Sequence, residues 1–280
     1  MECDLEIAAV TQRQGQAIRV FRRITRARGA FTGGKGREPV DMGAIPIRII
    51  ETDQSVRFQR GVKQMPSIIS PTSRPPTKPR EAQRREQILA AATKLFAEYG
   101  YADTDTQMLA DLVQVGKGTL YRYFPSKREL FLAAADRGMR LLCEYIDASI
   151  AKIQDPPERI AEVVRSYLNF FAEHPELCEL LIHERALFKD RKKPTYIEYR
   201  EANRERLRVL YRAYIAEGQI REMPVDRILD VLGDLLYGTM FTNYFSGRQK
   251  SVEEQTQDIL DIVFNGILSE AGRARRAAPE

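Results

Sequence analysis

Histidine is scarce in this 280-residue chain, with His174 and His183 its only two. Glu179 and His183 lie four residues apart, a spacing that puts both on one helix face. No third ligand stands near them in sequence, so no metal is expected. Cysteine is equally sparse. Cys3, Cys143 and Cys178 have no paired spacing, which argues against a disulfide framework and a thiolate zinc site and suits a reducing cytoplasm. No apolar run approaches the roughly 20 residues that a membrane-spanning helix needs, and the opening MECDLEIAAV has no basic region of a secretion signal. Nucleophile motifs, nucleotide-binding glycine fingerprints and paired-carboxylate spacings are lacking too, so neither a cofactor nor a catalytic residue is expected. The nearest approach is GAFTGGK at 29–35, in the GxxxxGK pattern of a phosphate loop. There Gly36 replaces the magnesium-holding hydroxyl and no strand or helix pattern flanks the motif, which leaves a flexible glycine-rich segment.

What remains is a globular composition, 43% hydrophobic and 30% charged, long enough for two domains. The net charge of +5 suggests a nucleic-acid partner until it is divided along the chain. Residues 1–80 carry 15 Lys and Arg against 7 Asp and Glu, 81–145 carry 9 against 9, and 146–280 carry 20 against 23. The excess lies wholly in the leading segment, so any case for nucleic acid rests on local placement of cations. Residues 1–80 read as a disordered basic leader ending in a Pro/Ser/Thr-rich linker. Residues 1–64 are either upstream sequence read from a mis-assigned start, with Met65 as the alternative first residue, or a basic arm that adds phosphate contacts.

The most densely punctuated stretch is 104–127, TDTQMLADLVQVGKGTLYRYFPSK. Thr104 followed by Gln107 predicts a capping box and a helix start. Met108, Leu109, Leu112 and Val113 recur at helical spacing and predict one buried face, before Gln114, Val115 and Gly116 interrupt it with a tight turn. A second helix over 117–124 follows. Leu120 and Phe124 anchor it from beneath, which leaves Lys117, Thr119, Tyr121 and Tyr123 on outer and flanking faces. Pro125 stops it, and Ser126 with Glu129 opens the next helix. Lys127, in that helix's first turn, sits against the positive end of the macrodipole, a placement that an incoming phosphate would make favourable.

These residues resemble the DNA-binding domain of the TetR family of bacterial transcriptional regulators, from RREQILAAATKLFAEYGY through TQMLADLVQVGKGTLYRYFPSKRELF, with GTLYRYFPSK the most diagnostic run. The resemblance implies an all-α fold of about nine helices. A three-helix helix-turn-helix domain over 81–139 would precede a helical effector-binding and dimerisation domain over 140–272 and a flexible tail at 273–280. It also implies that Lys117, Gly118, Thr119, Tyr121 and Tyr123 face the major groove or its phosphate walls, that Lys127 holds a phosphate, and that Thr104 and Thr106 begin the helix crossing the backbone. Two departures stand out. The turn, usually Ala-Gly-Val, reads Val113-Gln114-Val115, and Gly116 replaces the usual serine. A left-handed Gln114 would cost about 1 kcal/mol, whereas glycine caps nearly as well as serine.

On either side the periodicity predicts helices over 81–99, ended by a left-handed Gly100, and over 126–153, long enough to serve two domains. Further helices are predicted over 160–173, through 177–187, over 196–217, over 228–245 and over 259–268, with 190–194 as a solvated charged turn. The last two are apolar on nearly every side. The resemblance implies that Leu232, Leu236, Ile259, Val263 and Ile267 join a second copy, and two-fold operators require a dimer with half-sites about 34 Å apart. A ligand pocket is expected among Tyr145, Phe170, Phe171, His183, Tyr211, Phe241 and Tyr244, aromatic bodies with few polar anchors. The function expected is that of a cytoplasmic homodimeric regulator, a repressor released from double-stranded operator DNA by a small organic effector. The alternative is a helical small-molecule enzyme or binding protein with a vestigial helix-turn-helix.

Overall fold

The computed structural model describes residues 79–277. The basic leader, the glycine-rich segment at 29–36, Met65 and Cys3 lie outside the described residues. Within them the chain is all-α, eleven helices and no strands.

Helix α1 (Pro79–Asp103) buries Ile88, Leu89, Ala92, Leu95 and Phe96 along one face. Gly100 breaks it with a φ of 78°, as predicted, although helical hydrogen bonding resumes over the last turn. Tyr99, just before the break, is exposed. Helices α2 (Thr106–Leu112) and α3 (Lys117–Tyr123) are short, and α4 (Lys127–Ile150) is long. At about 1.5 Å per residue α4 runs roughly 36 Å, with Leu130, Phe131, Ala134, Leu142 and Ile146 on its buried stripe.

Asp155 caps α5 (Pro156–Glu173), accepting from the Glu158 amide at 3.0 Å, with proline in the first turn where no amide donor is needed. His174 ends that helix and Pro175 opens α6 (Pro175–Leu187). Helices α4 and α6 pack closely at Gly138, where an added Cβ would stand 2.4 Å from a Leu177 methyl.

The helix predicted over 196–217 is two helices, α7 (Thr195–Ala202) and α8 (Arg204–Ala216). Asn203 divides them: its side-chain amide donates to the Tyr199 carbonyl at 2.8 Å, competing with the backbone ladder from within the core. Helix α9 (Val225–Ser246) and α10 (Val252–Asn265) follow, and then α11 (Glu270–Ala277). A Ser251–Glu254 capping box starts α10 seven residues before the expected point, and Gly266 ends it at a φ of 73°. Ile267 therefore lies beyond the helix and is exposed.

Candidate nucleic-acid interface and effector core

The start of α2 departs from the predicted capping box. Asp105 is the cap, accepting from the Gln107 amide at 2.8 Å. Thr104 is buried, and its hydroxyl lies 2.6 Å from the Gly100 carbonyl and 3.2 Å from that of Leu95. The glycine break leaves the end of α1 in need of a donor, and the threonine folds back to supply it. Thr106 is buried as well, and its hydroxyl shares a 3.1 Å hydrogen bond with that of Tyr121. Neither threonine presents itself on the outer surface. The bond from Thr106 instead locks α2 to α3. Met108 and Leu112 are exposed, because Leu109 and Ala110 fill the space beneath so short a helix.

Gln114 takes the left-handed turn position, φ 54°, and an Arg84 guanidinium from α1 donates to the Val113 carbonyl at 3.2 Å. Gly116 starts α3 without a side-chain cap. Leu120 and Phe124 pin the helix from below, as predicted. Above them Lys117, Gly118 and Tyr121 are exposed, with Thr119 and Tyr123 half-buried. Lys117 lies 3.8 Å from Asp105 with both side chains well solvated, a pairing weak enough to yield to another anion. A Cβ added at Gly118 would meet nothing within 4 Å.

Beside this surface an open cleft of about 330 Å³ is lined by Ala102 to Thr106, Tyr121 and Lys127. Ser126 caps α4 from its hydroxyl, accepting from the Glu129 amide at 3.1 Å. The Lys127 ammonium donates to the Ala102 carbonyl at 3.0 Å and stands 5.0 Å from the Tyr101 ring centre. Lysine is thus held at the mouth of the cleft by neutral groups.

Helix α6 reaches into the core of the helix-turn-helix. Leu180 and Phe188 belong to the cluster formed by Phe96, Leu109, Leu120 and Phe131. Phe131 meets Phe96 edge-on at 5.0 Å between centroids and Phe188 at 5.4 Å, while Tyr101 meets Phe188 at 5.2 Å. The same helix carries the i, i+4 pair noticed in the sequence: His183 Nε2 lies 3.0 Å from Glu179 Oε1. The third member is Tyr244 from α9, whose hydroxyl donates to the other Glu179 oxygen. Burial would raise the Glu179 pKa, but the His183 and Tyr244 hydrogen bonds outweigh it and hold the carboxyl below its usual range. The shift is downward, so its stabilisation is present above the unfolded value and lost as pH falls through the folded one. Among the described residues no group of three His, Cys, Asp or Glu could hold a metal ion. His183 also packs on Gly100, 3.6 Å from where a Cβ would stand.

The residues expected to line one pocket fall in separate places. Tyr145, Phe170 and Phe171 form a ring series continued by Tyr167. Phe241 packs on Tyr237, and Tyr237 on Tyr196. Tyr167 joins the two groups, its hydroxyl 3.1 Å from that of Tyr196 and 3.6 Å from the Met240 sulfur. Tyr211 lies elsewhere, clustered with Tyr214 and Leu229. Tyr167, Tyr196 and Tyr237 were not expected to line a pocket. They come from three helices, and no periodicity within one helix could have brought them together.

The charged turn at 190–194 is not merely solvated. Asp190 pairs with Arg128, whose guanidinium lies 4.9 Å from the Phe188 ring centre. Arg191 turns inward to Glu184 and Glu198. Cys143 and Cys178 are free and buried, and burial pushes both thiols up to about 12. At pH 8 a thiol of that pKa is roughly 10⁻⁴ ionised. Iodoacetamide is therefore expected to leave both unmodified in the native protein and to alkylate both in urea, as read by peptide mass spectrometry; rapid native labelling would contradict the burial.

Much of α9 and α10 is left uncovered. Val231, Phe245, Ile262 and Phe264 are exposed, and Leu232, Leu236, Ile259 and Val263 are only partly buried. Among the described residues no helix is long and apolar enough to cross a membrane.

Residues 88–134 match the sequence profile described as "Bacterial regulatory proteins, tetR family". The nucleoid occlusion factor SlmA of Actinobacillus pleuropneumoniae serotype 5b is 32% identical over 124 residues, 44% of this chain and 61% of that protein. The transcriptional activator FasR of Mycolicibacterium smegmatis is 33% identical over 102 residues, 36% of this chain and 46% of its own length. In overall fold the chain is similar to the fatty acid degradation regulator FadR of Bacillus halodurans, with a TM-score of 0.56 at 16% identity over 69% of this chain and 98% of that one. It is also similar to FadR of Bacillus subtilis, solved with stearoyl-CoA, with a TM-score of 0.55 at 19% identity over 65% of this chain and 99% of that one. The helix-turn-helix built by α1 to α4 contains residues 88–134, the segment that is similar to the TetR family of bacterial regulatory proteins.

Proposed function

We propose that the protein is a cytoplasmic, homodimeric transcriptional regulator that represses from a palindromic operator and is released by a small organic effector. The observation that carries the DNA-binding part is the outer face of α3. Lys117, Gly118 and Tyr121 stand exposed on a helix fixed from below by Leu120 and Phe124 and from the side by the Thr106–Tyr121 bond. Gly118 costs this helix about 0.5–1 kcal/mol relative to alanine, and no atom of the described residues uses the space it leaves. Close approach of a DNA backbone would use it. Thr119 and Tyr123 flank the same face, and Lys127 stands at a cleft where a phosphate can displace the Ala102 carbonyl. Thr104 and Thr106 act here by positioning α2.

The uncovered apolar face of α9 and α10 supports pairing with a second copy, which brings two recognition helices to one two-fold site. Helix α6 touches both ends of the proposed switch. Glu179 and His183 join it to Tyr244 on α9, and Phe188 inserts into the helix-turn-helix core. An effector among the α5, α6 and α9 aromatics would act through whichever α6 position it favours, by no more than its difference in affinity for the two states. The same overall fold in the Bacillus subtilis FadR holds stearoyl-CoA, which supports an effector with a large apolar body.

Lys127→Ala is expected to weaken binding to every duplex and to lower the salt slope by about 1. Lys117→Ala is expected to relax sequence preference as well. Affinity titrations across a salt series, on an operator fragment and a random duplex, read both. Unchanged operator affinity in both variants would remove α3 from the interface.

A further inference from the structure

Arg122, in the last turn of α3, lies one turn beyond Gly118 on the exposed side of that helix, about 6 Å further along its axis. Lys117 and Tyr121 form the neighbouring exposed row, so the outer surface of α3 runs unbroken to its end. The Arg122 guanidinium carbon stands 5.8 Å from the centre of the Tyr123 ring, and the Tyr123 and Phe124 ring centres are 6.5 Å apart. Arg85, from α1, completes the series with its guanidinium carbon 5.1 Å over the Phe124 ring. Phe124 is buried in the core of the helix-turn-helix, which makes its ring a fixed platform.

These two arginines differ from their neighbours in what they do with their donors. Arg84 donates to the Val113 carbonyl, and Arg137 and Arg140 of α4 both reach Glu86. Among the described residues, Arg85 and Arg122 have neither a hydrogen bond nor a carboxylate partner, and their guanidinium groups are held by rings. Contact with a ring face is worth about 0.5–1 kcal/mol at an exposed site. It uses none of the five N–H donors. Both side chains are therefore oriented and still able to donate.

Two guanidinium groups on adjacent rings, with no carboxylate on either, suit an anion whose oxygens accept paired hydrogen bonds. The patch continues the surface that carries Lys117, Gly118 and Tyr121, and the open space at Gly118 lets a nucleic-acid backbone come close one turn before Arg122. That backbone supplies a phosphate about every 3.4 Å of helix axis on each strand.

We propose that Arg85 and Arg122 form a phosphate clamp at the end of α3, taking phosphates of the DNA strand that passes Gly118, with Tyr123 and Phe124 as positioning residues. This rests on the reading of α3 as the helix that meets DNA, and it extends that interface to α1.

The test is anisotropy titration of the full-length protein with a duplex from the region flanking its own gene and with a random duplex, over about 50 to 200 mM salt. Arg85→Gln and Arg122→Gln are each expected to weaken both duplexes about three- to ten-fold and to lower the salt slope by about 1, and the double variant by about 2. The corresponding lysine variants are expected to keep the wild-type slope and to lose about two- to three-fold in affinity, since lysine keeps the charge without the planar fork. Thermal midpoints are expected to fall by no more than about 3 °C, as for loss of one exposed ring contact. An unchanged salt slope in the double variant would overturn the clamp, leaving the arginines as solvated cations if affinity holds and as supports of the fold if the thermal midpoint drops further. A loss confined to the gene-flanking duplex would indicate contact with bases and overturn the assignment of phosphate. Lys127→Ala in the same series separates these failures from that of the DNA-binding reading. A lowered slope in that variant alone would leave the reading standing, whereas wild-type protein that binds neither duplex would remove both.

Discussion

Glu184→Ala is expected to lower folding stability by about 3–5 kcal/mol. Glu184 is 1% exposed. Its Oε1 accepts from the Thr195 amide at 2.9 Å and the Thr195 hydroxyl at 3.0 Å, and it pairs with Arg191. It thereby joins the end of α6 to the first turn of α7, where Pro194 provides no side-chain cap of its own. Removing the carboxylate leaves a buried amide without its acceptor and a largely enclosed guanidinium with Glu198 as its remaining carboxylate. Burial raises the Glu184 pKa, with the Thr195 bonds and Arg191 opposing it. An upward shift means that the proton-linked part of its stabilisation is present below the unfolded carboxyl value and is lost as pH rises through the folded one, while the bonds to Thr195 and Arg191 that the variant removes are those of the carboxylate at pH 7. Urea unfolding at pH 7 measures the loss as a lower midpoint with an unchanged slope. A midpoint within the scatter of surface variants would show that Arg191 and Thr195 find other partners.

Phe188→Ala is expected to cost a similar amount, about 3–5 kcal/mol, through lost burial and the cavity that remains. Phe188 caps α6, yet it packs on Tyr101 and Phe131 of the helix-turn-helix, with Arg128 over its face. The neighbouring Leu187 is 46% exposed, so Leu187→Ala should change stability by no more than about 0.5 kcal/mol. The contrast between adjacent residues separates core packing from any general weakness of the helix end. If both variants unfold at the same urea concentration, Phe188 does not bind α6 to the DNA-binding core.

What the sequence made legible is what neighbouring residues encode. Ser126 caps α4, Gly100 and Gln114 take left-handed backbone, and Leu120 and Phe124 pin α3, each a consequence of groups a few positions apart. The local code was ambiguous at Thr104 and Asp105, two adjacent capping residues. The choice was settled by the carbonyls of Leu95 and Gly100, to which only the threonine could turn. Asn203 divides a continuous periodic pattern because its amide finds a buried carbonyl, a competition that periodicity does not register. The aromatic packing among the later helices was least legible. Tyr244 meets Glu179 from 65 positions away, and Tyr196 meets Tyr167 from 29 away. Those pairings follow from how α5, α6, α7 and α9 pack, and no spacing within a helix announces them.

The exposed face of α9 and α10 and the outer face of α3 support the proposal that two copies hold one stretch of DNA. The most direct measurement is sedimentation of the full-length protein with a duplex from the region flanking its own gene and with a random duplex, across a salt series. Two protomers per specific site, with the random duplex bound far more weakly at every salt concentration, is the predicted result. Equal, weak and salt-labile binding to both duplexes would contradict it.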